Sequence, residues 1–183
     1  MLDERGKVLL AIARAAISRA LHVSRTADES APWLNEPGAC FVTLTQNGEL
    51  RGCIGSLEAH QPLLNDVKSN AVSAALRDPR FAPLSAKELA ITAIEVSLLT
   101  PPQTMSFYDE ADALAQLRPG VDGVVFEYGN YRSTFLPQVW EDLPQPREFF
   151  AQLKRKAGLP GDFWGEGVKL SRYTVTKWSE KES

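Results

Sequence analysis

Cysteine and histidine are scarce in this chain, two of each among 183 residues. With the two histidines far apart and no paired-cysteine spacing, no ligand set for a closed zinc site is visible, and a mixed site of Cys53 and His60 would lack its further ligands. The sequence therefore calls for no metal and no cofactor. There is no Gly-x-x-x-x-Gly-Lys loop and no dinucleotide fingerprint, so nothing is built to cradle a nucleotide's phosphates. No apolar run approaches the roughly 20 residues of a membrane span, and the acidic, amphipathic start Met1-Leu2-Asp3-Glu4-Arg5 does not read as a secretory signal. A net charge of -3 supplies no basic field for nucleic acid. The one basic run, Lys154-Arg155-Lys156, reads as a solvated helix face.

What is present is an ordinary folding composition, 44% hydrophobic and 23% charged, long enough for one substantial core or two small lobes. The chain is organised around Leu50-Arg51-Gly52-Cys53-Ile54-Gly55. Just before it, Asn47-Gly48 separates two strand-forming runs, Ala39 to Gln46 and Glu49 to Ser56, which is a hairpin signature because both residues tolerate positive φ. A two-residue loop predicts that Gln46 faces Glu49, Leu44 faces Arg51 and Val42 faces Cys53. One face would then carry Cys40, Val42, Leu44, Arg51, Cys53 and Gly55, the other Phe41, Thr43, Leu50, Gly52 and Ile54.

In that register Cys40 and Cys53 are diagonal neighbours roughly 7 to 8 Å apart, beyond comfortable disulfide reach. Two free thiols and a reducing, cytoplasmic setting are expected. Arg51 shares the face of Cys53, where a guanidinium would stabilise a thiolate and mark Cys53 as the reactive cysteine. Gly52 and Gly55 weaken the strand and signal a bulge, a bend, or the close approach of another backbone or a ligand. The alternative is plain packing, with Cys53 as a small hydrophobe.

Elsewhere, Glu4 to His22 is a core-facing helix and Val23 to Gly38 a loop. Pro62 opens a second helix with an apolar stripe from Leu63 to Leu76. Asp78-Pro79-Arg80-Phe81-Ala82-Pro83 is an ordered corner in which Asp78 and Arg80 either satisfy local groups or bring Arg80 to the hairpin as an anion contact. Ser85-Ala86-Lys87-Glu88 has capping-box spacing. Ile91 to Leu99 is a strand in which Glu95 needs a partner if buried, making it a site candidate.

Pro101-Pro102 marks a lobe boundary near residues 100–103 in what otherwise reads as one domain over 1–183. Beyond it come a third helix at Phe107 to Leu117, a second hairpin at Gly123 to Tyr128 and Tyr131 to Leu136, a fourth helix at Arg147 to Ala157 closed by Gly158, and a last strand at Val168 to Trp178. The fold class is α+β, with a largely antiparallel sheet flanked by helices.

The central motif resembles the six-residue signature of the AMMECR-one family, whose bacterial and archaeal members are called AmmeMemoRadiSam system protein A. Cys40-Phe41-Val42-Thr43-Leu44, Asp78-Pro79-Arg80-Phe81, Glu95-Val96-Ser97, Gly123-Val124-Val125, Thr134-Phe135-Leu136-Pro137-Gln138-Val139 and Lys156-Ala157-Gly158-Leu159 resemble further family blocks in the family's order, covering nearly the whole chain. Where members often carry a cysteine two residues before the Lys-Ala-Gly block, this chain has Lys154.

The resemblance implies two unequal lobes with the signature strand near a cleft, no known reaction, and association with a Memo-type protein and a radical SAM enzyme. Two readings follow. In one, an enzyme uses Cys53 as nucleophile or ligand and Glu95 as acid or base, with Arg51, Gly52, Gly55, Asp78 and Arg80 around an anionic small molecule. In the other, a non-catalytic module docks a partner protein.

Overall fold

Asp3 starts the chain's first helix by accepting a hydrogen bond from the Gly6 amide at 2.8 Å, satisfying one of the donors a helix N-terminus leaves open. In this computed structural model, which describes residues 3–180, the elements run α1 (Glu4–Ala20), β1 (Ala39–Gln46), β2 (Glu49–Gly55), α2 (Leu63–Leu76), β3 (Ala93–Leu99), β4 (Gln103–Thr104), α3 (Glu110–Gln116), β5 (Gly123–Tyr128), β6 (Tyr131–Phe135), α4 (Pro146–Ala157), β7 (Lys169–Tyr173) and β8 (Val175–Ser179). Short 3₁₀ turns occupy Pro32–Asn35, Ala86–Ile91 and Pro137–Glu141, the first inside what the sequence reads as loop. The fold is α+β. Its strands form two four-stranded antiparallel sheets, ordered β2-β1-β3-β8 and β4-β7-β5-β6.

The chain divides into two compact units, one reaching Leu99 and resuming at Thr176, the other spanning Thr100–Val175. In the first, α1 and α2 cover one face of the sheet with Leu9, Ile12, Ile17, Val67 and Ala71 against Val42, Leu44, Ile94 and Val96. Arg14 of α1 holds both carboxylate oxygens of Glu180 at 2.7 Å, and Glu180 accepts the Ile94 amide. In the second unit α4 supplies Phe149, Phe150 and Leu153 to a core with Phe126 and Trp140. Trp140 stacks on Phe149 with ring centroids 3.7 Å apart.

Three sequence expectations change here. The single last strand is two strands in different sheets, because the chain breaks at Thr174, whose amide and carbonyl are taken by Thr100. The third helix begins later than expected, at Glu110, since the Asp109 carboxylate caps it through the Asp112 amide. The basic run is a solvated face only at Arg155 and Lys156, which are exposed. Lys154 is 2% exposed, its ammonium 2.6 Å from Glu110 and 4.4 Å from the centre of the Phe150 ring, so that ion pairing and cation–π attraction offset its burial.

The hairpin forms as its turn residues dictate, with Asn47 at φ 53° and Gly48 at φ 81°, but its register is not the simple one. Gln46 pairs with Glu49 and Thr45 with Leu50, after which the register shifts: Leu44 pairs with Gly52, Thr43 with Cys53, Val42 with Ile54 and Phe41 with Gly55. Arg51 is the extra residue of a β-bulge. The straight register would have pointed Arg51 and Cys53 at the helices. The bulge instead turns Gly52 and Ile54 inward, and α2 comes so close that a Cβ on Gly52 would run into the Ala74 carbonyl oxygen.

Gly52→Ala is therefore expected to lower stability by about 3 kcal/mol through overpacking against a backbone that cannot swing away, seen as a lower urea midpoint at unchanged m. Gly48→Ala meets nothing within 4 Å and should cost only the strain of positive φ, about 1 kcal/mol. Equal losses at the two positions would refute the close approach as the constraint.

Candidate functional site

Residues that alternate along β1 sort the candidates onto two faces. Cys40, Val42 and Leu44 are fully buried beneath the helices, while Cys53, opposite Thr43, lies half-buried on the other face. The two thiols are free, as expected, but the reason differs, since they point to opposite sides of the sheet rather than lying diagonally on one. Burial pushes the Cys40 thiol far up, and the neighbouring Asp66 carboxylate adds to the effect. Cys40 is a packing residue.

β2 is an edge strand, and its outward backbone groups at Cys53 are capped by the corner that follows α2. The Cys53 amide donates to Asp78 Oδ2 at 3.0 Å, and the Cys53 carbonyl accepts from Arg80 Nη2 at 3.3 Å. Asp78, itself buried, also accepts from the Arg80 amide at 3.1 Å, from Nε at 3.0 Å and from Nη2 at 2.7 Å. Arg80 is the chief reason that the Asp78 carboxyl is held well below the ordinary carboxylate range; the Cys53 amide adds to it against the opposing effect of burial. Pro79 fixes the backbone between them. The corner thus closes the edge and holds Cys53 in place.

Arg51 goes elsewhere. Left by the bulge on the side of Leu44 and Gln46 while Cys53 passes to the other face, its Nε and Nη2 donate to Glu88 at 3.0 and 3.3 Å. Gln46 donates to the same carboxylate at 2.8 Å. Glu88 also completes the capping box by accepting from the Ser85 amide. The expectation that Arg51 stands beside the Cys53 thiol is therefore corrected: the bulge places the two on opposite faces. The Arg51 guanidinium first, and Gln46 next, bring the Glu88 carboxyl down to about 2.

On the face of Cys53, its Sγ lies 3.2 Å from Thr43 Oγ1. Thr43 in turn pairs with Glu95 of β3, so a thiol, a hydroxyl and a carboxylate form one row across three strands. Glu95 is half-buried, and among the described residues no hydrogen bond or ion pair meets its carboxylate. Gly55, at the next rung, leaves room for the Phe41 ring, which a Cβ would strike. His60 is exposed and 3.5 Å from Glu58. Among the described residues no cluster of three or more His, Cys, Asp or Glu side chains could hold a metal ion.

Sequence reasoning missed two features. Thr43 was assigned to the face away from Cys53; placing the bulge that Gly52 signalled would have brought them together. The other is the buried Asp66, which accepts from the Cys40 amide at 2.9 Å, Ser56 Oγ at 2.7 Å and Asn70 Nδ2 at 3.1 Å, tying the start of β1 and the end of β2 to α2.

This is an α+β protein whose edge strand carries one half-buried thiol on the sheet face away from the helices. Residues 10–178 match the AMMECR1 family model, and the chain belongs to that family, whose function is unknown. It is 39% identical to Protein MJ0810 of Methanocaldococcus jannaschii, covering 98% of this chain and 92% of the relative. It is 41% identical to a protein of Sulfolobus acidocaldarius, over 92% and 78% respectively. The crystal structure of the uncharacterized protein PH0010 from Pyrococcus horikoshii superposes with a TM-score of 0.80 at 33% identity, covering 99% of this chain and 94% of that one. No helix among the described residues is long and apolar enough to cross a membrane.

Glu88 and Asp78 both have carboxyls depressed by folding, so each contributes stability that is complete above its unfolded value and is lost as pH falls through the folded one. For Glu88 that window runs from about 4.5 down to about 2. Thermal melts should show the midpoint falling as pH drops through this range, and Glu88→Gln should flatten the fall. A wild-type midpoint unchanged between pH 5 and 2 would count against these pairings.

Proposed function

We propose that the protein acts on a small molecule, or presents it to a partner, at the sheet face that carries Cys53. Cys53 is the reacting or liganding thiol, Glu95 the candidate acid or base, Asp78 and Arg80 the residues that fix the strand beneath them, and Thr43 a positioning residue. The observation that carries this reading is the contrast between the two cysteines: one sealed in the core, the other half-exposed, braced on both sides of its backbone and touching a hydroxyl. The same proposal includes a cytoplasmic setting and, as the resemblance of the motif implies, work alongside a Memo-type protein and a radical SAM enzyme. A docking module is the second reading. It is favoured by Gly52, Arg51 and Asp78, which are all spent on packing or ion pairing within the first unit.

Iodoacetamide labelling of the folded protein, read by peptide mass, tests the first reading with Cys40 as internal control. Cys53 should label at least about 100-fold faster, the difference expected between a partly exposed and a sealed thiol. Thr43→Val should slow Cys53 by about 3- to 10-fold, the worth of one hydrogen bond, and Thr43→Ser should restore it. If Cys53 stays as inert as Cys40 until unfolding, the thiol reading fails. Retention of partner capture by Cys53→Ser would then favour docking.

A further inference from the structure

We infer that the ligand of the Cys53 face carries a cationic group, an ammonium or a guanidinium, and that Glu95 receives it. The inference rests on the reading of Cys53 as the working thiol and adds the chemical class of what it meets. From sequence, Arg51 and Arg80 suggest an anionic substrate. The structure neutralises both. Arg51 is held at two points by Glu88 on the opposite face; Arg80, whose charge does act on Cys53, is held at two points by Asp78 and so reaches the thiol as a paired charge. The acids in those pairs are equally spent.

Glu95 is different. It stands in the row of Cys53 and Thr43 with no hydrogen bond or ion pair among the described residues. A carboxylate drawn partly out of water without a partner is unfavourable, and a ligand cation would relieve it. Lys177 on β8 is exposed and lies on the far side of Glu95 from Cys53 in the strand order. It makes no ion pair with Glu95.

The spacing suits a small bifunctional molecule. Cys53 and Glu95 are two strands apart, about 9 to 10 Å between backbones, and both side chains rise from the same face. A reactive centre at the sulfur and a cation two or three bonds away would span the gap over Thr43. One rung towards the turn, Leu50, 43% exposed, and Ala93 flank Thr45 and give the ligand's carbon chain an apolar margin.

Charge-selective thiol reagents test this directly. Three methanethiosulfonates are compared: 2-aminoethyl (cationic), 2-sulfonatoethyl (anionic) and methyl (neutral). In each, the Cys53 sulfur attacks the sulfenyl sulfur, a disulfide forms, the sulfur–sulfonyl bond breaks and methanesulfinate leaves with its electron pair, the thiol proton going to buffer. Rates are read by peptide mass and divided by those for 2-mercaptoethanol. The cation-to-anion ratio should exceed one by about 5- to 20-fold at low salt, the effect of one charge across roughly 6 Å of half-exposed surface. It should collapse near 1 M salt, where screening reaches about 3 Å, and in Glu95→Gln, each ratio being internal to its own protein.

A ratio of one or below, or the same ratio in Glu95→Gln, overturns the inference. If the neutral reagent labels Cys53 but no cation preference exists, only the inference falls. If the neutral reagent fails to label Cys53 in the folded protein, the thiol reading falls with it.

Discussion

The contact between β2 and α2 at Gly52 is the constraint on which the arrangement of the first unit depends. The helix backbone at Ala74 approaches so closely that only a residue without a side chain fits beneath it. Gly52 must therefore face inward, and a hairpin with an Asn47-Gly48 turn reaches that state only by gaining a residue. The bulge at Arg51 is that residue. Its cost is one unpaired position in the ladder.

Everything distinctive about the open face follows from that shift. Cys53 is carried out of the core and onto Thr43, and Glu95 falls into line with both. Arg51, which stays on the side of Leu44, meets Glu88, whose capping box in turn orders the entry into β3. The free edge that would otherwise invite another strand is closed by Asp78 and Arg80, at the same residue whose thiol is presented. The backbone of Cys53 is thus held on both sides while its side chain lies half-buried beside Thr43.

Charge is distributed with the same economy. Both arginines that draw attention in the sequence are paired with acids inside the first unit, whereas Glu95 has no such partner among the described residues. Ion pairs of this kind hold loops and turns to strands; they also remove the positive field that the composition of the motif suggests. Lys154 repeats the pattern in the second unit, where a residue of a basic run is buried between Glu110 and Phe150.

Much of the fold was legible in the residues. The stripes of α1 and α2, the presence of α4, both hairpins and the Ser85 to Glu88 box depend on local periodicity and turn chemistry, which act over a few neighbours. The warning carried by Gly52 was legible in the same way. The register of the hairpin, the separation of the two thiols, the partners of Arg51 and Arg80, the split of the last strand and the burial of Lys154 were decided only in the tertiary structure. Each turns on what a distant segment places against the residue: α2 against Gly52, the Asp78 corner against Cys53, Glu110 against Lys154. Such contacts are set by packing between elements, and a local pattern holds no record of them.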